Sequence, residues 1–377
     1  MTDFDYAIIG AGLAGLSLAS SLVDLLPKKS QALIDPRSDF KRDHNWCYWN
    51  NAAFNIELPI NKRWTKWKVS YKSKTTVCQS ESYPYDCVFA DTYYKHALST
   101  LNKSETVKFF LGESLEQVEY KKDSVLIKTG GHKFSAKILF DSRPPQHQPG
   151  ELVQDFLGFH IISNEEVFDS ECLTLMDFSG VTFDDSPGFH FYYVLPFDKK
   201  EALVESVFVG FTPLAIERHR RLIRQYLLDK FGIESFETLY TEKGCIPMHR
   251  VAEKSPHRRH YCIGTRGGLV RPSTGYAFAA IHLFSDRLAK LLQKYELPEP
   301  PDSLSAKSKI LDTVLLRYLK TNINDGPFLL SSLFENVDPD VLVRFLCDCS
   351  SLQDDANIFA AMPRKQELSL LMAGMWL

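Results

Sequence analysis

The stretch from Tyr6 to Asp35 limits what this chain can fold into more than any other. An apolar run, Tyr6 to Ile9, leads into Gly10-Ala11-Gly12-Leu13-Ala14-Gly15. An amphipathic segment follows, and a second apolar run, Ala32-Leu33-Ile34, ends in Asp35. Strand, glycine turn, helix, strand and acid in this order form a dinucleotide fingerprint. Gly10 permits the sharp turn, Gly12 lets the backbone approach a pyrophosphate, and Gly15 lets the helix pack close to the strand. The helix that opens at Leu13 and Ala14 offers unpaired N–H groups and the positive end of its dipole to phosphates. Asp35 is placed to accept from ribose hydroxyls. The competing reading is a glycine-rich turn in an unrelated α/β unit.

The rest of the composition narrows the function. A chain of 377 residues is long enough for two or three domains. A net charge of −3 gives no bulk basic surface, so nucleic acid is not an expected partner. Aromatic residues make up 12%, which suits heavy cores or a large apolar ligand. The eight cysteines are scattered and form no CxxC pair, so free thiols in a reducing cytosol are expected, with no metal site. Asp3 and Asp5 stand where a secretion signal would be basic. The uncharged run Tyr6 to Val23 has the glycine spacing of strand-turn-helix, not of a membrane span.

Along the chain, a polar loop from Pro36 to Asp43 precedes an aromatic cluster, His44 to Trp49. Val69 to Val77 alternates weakly as a strand would, and Asp91 to Leu101 has helical spacing. Val107 to Phe140 is β-rich, with Gly130-Gly131 as a hairpin turn and Asp141-Ser142-Arg143 at the end of its last run. Pro144 to Gly150 reads as a domain crossing. Strand-like runs recur from 151 to about 212. Ile216 to Phe231 reads as a helix carrying Arg218, Arg220, Arg221 and Arg224, either a solvated face or a surface for anionic headgroups. A short strand, Tyr261 to Gly264, a glycine-rich turn and a helix from Gly275 to Tyr295 follow, and the remainder is mostly helical.

These motifs together resemble the lycopene cyclases, and most closely the bacterial β-cyclases within the wider flavin monooxygenase and reductase superfamily. Asp43 to Trp49 is similar to the family's H-x-W segment, and Asp141-Ser142-Arg143 to a D-x-R strand end. Gln154 to Gly158 resembles Q-x-F-x-G, Met176-Asp177 an M-D strand, and Gly244 to Met248 a G-x-I-P-M turn. Leu203 to Ser206 resembles the strand that carries the catalytic glutamate. Gly264 to Tyr276 is similar to G-x-R-G-G-x-x-x-P-x-T-G-Y, with Gly264-Thr265 where flavin hydroxylases carry Gly-Asp. Arg271 stands where many relatives have His, and Glu205 lacks the adjacent second acid of some of them.

The resemblance implies an α/β protein: a Rossmann-type FAD-binding domain (1–45, 86–148, 244–300), an inserted β-rich substrate domain (46–85, 149–243) and a helical C-terminal region (301–377). It implies FAD in its reduced form, with NAD(P)H as a transient reductant. The FAD contacts are then Gly10, Gly12, Leu13, Ala14, Gly15, Asp35, Arg42, Asp141, Gly264, Gly267, Gly268, Thr274 and Gly275. Lycopene or a related acyclic carotenoid is the implied substrate of a redox-neutral cyclisation. Glu205 is the candidate acid: it sits within an apolar run, and period-two alternation puts it on one face with Leu203 and Val207. Trp46, Tyr48, Trp49, Phe191, Tyr192 and Tyr193 are candidates to line the substrate and stabilise a cation. An apolar substrate drawn from lipid implies a cytoplasmic protein held peripherally on a membrane, through the arginine-bearing helix or the tail Leu368 to Leu377. Two alternatives stand beside this one: a flavin monooxygenase or reductase acting on a polyprenyl lipid, and a carotenoid-binding flavoprotein without activity.

Overall fold

The computed structural model describes residues 2–50, 57–145, 149–179, 186–251, 253 and 255–362. The tail from Leu368, one of the two expected membrane contacts, lies outside these residues. In chain order the elements are β1 (Thr2–Ile9), α1 (Leu13–Leu25), β2 (Gln31–Asp35), β3 (Asn45–Trp49), β4 (Lys62–Trp64), β5 (Lys66–Tyr71), β6 (Lys74–Gln79) and β7 (Tyr85–Phe89). Next come α2 (Ala90–Leu101), β8 (Val107–Leu111), β9 (Leu115–Tyr120), β10 (Val125–Thr129), β11 (Lys133–Asp141), β12 (Val153–Ser163), β13 (Cys172–Asp177), β14 (Gly188–Pro196) and β15 (Glu201–Gly210). The chain continues through α3 (Ile216–Phe231), β16 (Phe236–Pro247), β17 (His260–Cys262), α4 (Phe278–Lys294), α5 (Ala306–Thr321), α6 (Gly326–Asn336), α7 (Pro339–Leu346) and α8 (Leu352–Ala361).

The first sheet has the order β8-β2-β1-β11, all parallel, with β17 parallel to the end of β11 and the β10-β9 hairpin antiparallel beyond its start. Its central strands are covered on both faces, which is why β2 reads as an unbroken buried run. Helix α1 packs on α4, where Ser17 Oγ meets His282 Nδ1 at 2.9 Å. This is the Rossmann-type FAD-binding architecture expected.

The second sheet is β16-β12-β15-β14-β13-β5-β6, antiparallel except for the parallel β13–β5 pair. Alternation gives it two apolar faces. One, with Leu157, Phe159, Tyr192 and Val204, packs on Leu222, Ile223, Tyr226 and Leu227 of α3. A buried polar chain also ties α3 down: Asp155 Oδ2 to His219 Nε2 at 2.7 Å, His219 Nδ1 to Ser206 Oγ at 2.8 Å, and Ser206 Oγ to His190 Nε2 at 2.7 Å. The opposite face, with Phe189, Phe191, Leu203, Val207 and Val209, shares its core with the C-terminal helices.

Three details differ from the sequence reading. Residues 244–247 are not a turn but the end of β16, because they complete its pairing with β12. Helix α4 starts at Phe278, after the glycine-rich segment, rather than at Gly275. Strand β7 crosses the expected boundary at 85/86, and with β3 and β4 it forms a small separate sheet. No helix among the described residues is long and apolar enough to cross a membrane.

Candidate active site

The dinucleotide end is built from backbone. A Cβ on Gly15 would lie 1.8 Å from the Gly10 carbonyl oxygen, so only glycine lets α1 approach β1 this closely. A Cβ on Gly12 would meet nothing within 4 Å, so there is open space at the N-cap of α1, where a diphosphate would meet the N–H groups that open the helix. The second glycine segment returns to the same place: a Cβ on Gly264 would lie 3.0 Å from the Ala14 Cβ, and one on Gly267 would lie 2.4 Å from the Cys262 carbonyl oxygen. These residues fit a flavin dinucleotide. Gly15→Ala is expected to force the turn apart, with flavin absorbance lost from the purified protein and stability lowered by roughly 1–3 kcal/mol in urea titration.

Two expected contacts are already engaged within the chain. Asp35 accepts from the Ala11 N–H at 2.6 Å and from Arg37 at 2.8–3.0 Å. Burial opposes its charge, but Arg37 and these N–H donors outweigh burial and hold the carboxyl below its usual range. A ribose hydroxyl bound there would have to share Asp35 with Arg37. Asp141 is fully buried and accepts from Arg143 at 2.7–3.2 Å and from Arg266 at 2.7 Å. Its burial is likewise outweighed, here by His260 and Arg143, so it stays ionised and ties the Arg266 segment to the end of β11.

Glu205 lies on the cavity face of β15, beside a cavity of about 250 Å³. Phe191, Tyr193, Leu203 and Val207 line it from the second sheet, Ser273 to Tyr276 from the glycine segment, and Leu315, Leu319, Leu330 and Phe334 from the C-terminal helices. The helical region is thus a wall of the site, and Thr274 and Gly275 bring the expected flavin segment to the expected acid.

The acid is not alone. In register, Gly158 of β12 faces Glu205 of β15 on one side and Glu242 of β16 on the other. A Cβ on Gly158 would lie 2.9 Å from Glu205 Cγ and 3.1 Å from Glu242 Cγ. The absent side chain leaves the gap in which the two carboxyls hydrogen-bond to each other. Both are buried, at 9% and 2% exposure. Burial first, and then the charge of Glu242, push Glu205 well above the ordinary carboxylate range. Burial also raises Glu242, against the hydrogen bond from Glu205, the charge of His44 and the donors of Asn45. Two such carboxyls oppose each other's ionisation, so burial and their proximity favour a proton shared within the pair. Gly158→Ala should push the two acid stems apart and lower activity by at least about tenfold, with an overpacking cost of about 1–3 kcal/mol. An assay beside a melting curve checks both.

Glu242 carries further contacts. The Asn45 N–H donates to its Oε2 at 2.9 Å, and Asn45 Nδ2 lies 3.2 Å from Oε1 and also contacts the Tyr240 hydroxyl. Arg42 donates to Asn45 Oδ1 at 2.9 Å and to His160 Nδ1 at 3.0 Å, and its guanidinium lies 3.3 Å over the Phe89 ring. Arg42, expected at the phosphates, is therefore placed beside the acid pair instead, because the loop before β3 runs along the edge of the second sheet.

The aromatic candidates divide by strand alternation. Phe191 and Tyr193 line the Glu205 cavity. Tyr192, on the other face of β14, stacks on Tyr226 at 3.8 Å behind the sheet. On β3, Asn45 and Cys47 face the cavity, while Trp46 packs on Tyr93 at 5.2 Å and Tyr48 stacks on Phe278 at 4.8 Å. Trp49 is buried against Trp67 and Tyr85, each at 4.5 Å. Tyr48 and Trp49 line a neighbouring cavity of about 490 Å³, which shares Tyr276 and Leu346 with the first.

Comparison with known proteins agrees with this architecture. Residues 5–372 match the family described as lycopene cyclase protein. The chain is 25% identical to a chloroplastic neoxanthin synthase of Solanum lycopersicum over 77% of its own length and 60% of that protein's. It is 22% identical to a lycopene beta-cyclase of Pantoea ananas, over 76% of this chain and 74% of that one. The chain thus spans about three fifths of the length of the plant synthase. Among solved structures, a geranylgeranyl bacteriochlorophyll reductase-like protein from Thermoplasma acidophilum superposes with a TM-score of 0.73 at 13% identity, covering 99% of this chain and 100% of that one. The halogenase PltM, solved with phloroglucinol and FAD, gives 0.57 at 11% identity, covering 88% of this chain and 77% of that one.

Proposed function

The chain belongs to the lycopene cyclase family, and from that premise we propose that it closes the acyclic ends of lycopene into β-ionone rings with no net oxidation. The observation that supports this most is a buried carboxyl, Glu205, facing an apolar cavity beside a second buried acid, a setting that favours its neutral form. An open-chain polyene has no polar handle, so the site must hold it by shape and apolar contact while presenting one proton. Glu205 gives its proton to the terminal C=C, whose π electrons form the new C–H bond and leave a tertiary cation. The next internal C=C attacks that cation and closes the six-membered ring. Alkenes are weak bases, so positioning and cation stabilisation must supply much of the rate. Phe191 and Tyr193 offer ring faces worth roughly 0.5–2 kcal/mol each.

The residues fit FAD: Gly10 to Gly15 at the diphosphate, Asp35 toward the ribose, and Gly264 to Gly275 along the path to the cavity. Bound by these residues and reduced with NAD(P)H, FAD would supply negative charge to the site and no electrons to the product. Lycopene dissolves in lipid, so the protein works at a membrane surface, with Arg221 and Arg224 on the exposed side of α3 as contacts for anionic headgroups.

Expression in a bacterium that accumulates lycopene tests this reading. The expected result is a pigment that shifts from red to yellow-orange at unchanged mass. A product two hydrogens heavier would make the protein a reductase, one oxygen heavier a monooxygenase, and unchanged lycopene bound to the protein a carrier.

A further inference from the structure

Resting on that cyclase reading, we propose that Glu242 is the base that takes up the proton released when the ring closes, with Asn45 and Arg42 as its positioning residues. The contacts of the two carboxyls are unequal. Glu205 has Glu242 as its hydrogen-bonding partner. Glu242 accepts from Glu205, from the Asn45 N–H and from Asn45 Nδ2. Donors favour the charged form of an acid, so the proton of the pair rests on Glu205 and the charge on Glu242. Arg42 cannot accept a proton, so its contact with His160 makes Nδ1 the acceptor, and His160 Nε2–H is left to donate to Glu201 Oε1 at 2.6 Å. This fixes Arg42, which in turn fixes the amide of Asn45 with its donors toward Glu242.

Both carboxyls border the same cavity. Proton delivery by Glu205 leaves two carboxylates side by side, which are strongly basic together. The cyclised cation then loses a proton from the ring carbon next to the positive centre. That C–H electron pair becomes the ring double bond, and the proton goes to Glu242. Transfer from Glu242 to Glu205 along their shared hydrogen bond restores the starting pair. One proton is given and one is returned, with no oxidant or reductant consumed. The place of Glu242 relative to the cation also selects which carbon loses its proton, and so which ring isomer forms.

The test compares Glu205→Gln, Glu242→Gln, Glu242→Asp and Asn45→Ala as holoenzymes with reduced FAD and lycopene in phosphatidylcholine vesicles, reading products by chromatography and bound flavin by absorbance. Glu205→Gln should form rings about 10²–10⁴-fold more slowly. Glu242→Gln should form β-rings at least about 100-fold more slowly, with a raised share of other ring isomers or of a water-captured tertiary alcohol. Glu242→Asp should restore part of the β-ring share. Should Glu242→Gln lose its flavin, Asn45→Ala carries the test: it leaves both carboxyls in place and should shift the isomer ratio in the same direction. Parent-like rate and isomer ratio in flavin-bound Glu242→Gln, or in Asn45→Ala where Glu242→Gln does not bind flavin, would overturn the proposal. Parent-like ring formation by Glu205→Gln would instead overturn the cyclase reading itself.

Discussion

Glu205→Gln is expected to lower ring formation by about 10²–10⁴-fold, the usual contribution of a positioned general acid, while flavin remains bound. The same substitution should stabilise the folded protein at alkaline pH. Burial and Glu242 raise the folded-state pKa of Glu205 above its unfolded value. The folded chain therefore binds more protons than the unfolded chain between those two values. The stability associated with the neutral acid is fully present below the unfolded pKa, near 4.3, and is lost as pH rises through the folded one. Glutamine does not titrate, so the variant should melt close to the parent at pH 4 and above it at pH 8. Full activity, or a melting difference that shrinks toward pH 8, would remove Glu205 from the role assigned to it.

Asp312→Ala should produce the largest loss of stability, about 3–5 kcal/mol. Arg271 and Asp312 are each 4% exposed and paired at 3.1 Å. Arg271 also donates to the carbonyls of Phe345 and Leu346 at 2.9 and 2.7 Å, and Ser273 Oγ donates to Asp312 at 2.7 Å. The pair thus ties the glycine segment, α5 and the end of α7 into one wall of the Glu205 cavity. Removing the carboxylate strands a buried guanidinium, and chemical denaturation of the holoenzyme reads the cost. Replacing both partners together, Arg271→Met with Asp312→Leu, should recover most of the loss, since the penalty comes from the unpaired charge. A single variant that loses less than about 1 kcal/mol would show that the pair does not hold this wall.

The sequence made the two halves of the site visible to different degrees. Gly10 to Asp35 was legible because strand, turn, helix and acid are neighbours in the chain, and each glycine meets a demand set within that unit. The apolar setting of Glu205 was legible because alternation along a strand is also local, while its role as the acid came from the resemblance to the family. Glu242 was not. Strand β16 is largely exposed, its charges mask the alternation, and its meaning depends on pairing with Gly158 far away in the chain. A glycine inside a strand was the available signal, since such a position often marks a close approach from neighbouring groups. The aromatic cluster at 46–49 was legible as a cluster but not in its orientation: the pleat turns the smaller Asn45 and Cys47 toward the acid pair and leaves Tyr48 and Trp49 at the neighbouring cavity. Arg42 lay in a loop whose path follows from how the second sheet sits, which no local pattern encodes.

The most direct measurement of the central claim is the amount of reductant used per ring formed by the purified protein, with product mass determined in parallel. The account predicts rings isomeric with lycopene and NAD(P)H consumption far below one equivalent per ring. Stoichiometric consumption, with a product heavier by hydrogen or oxygen, would contradict it.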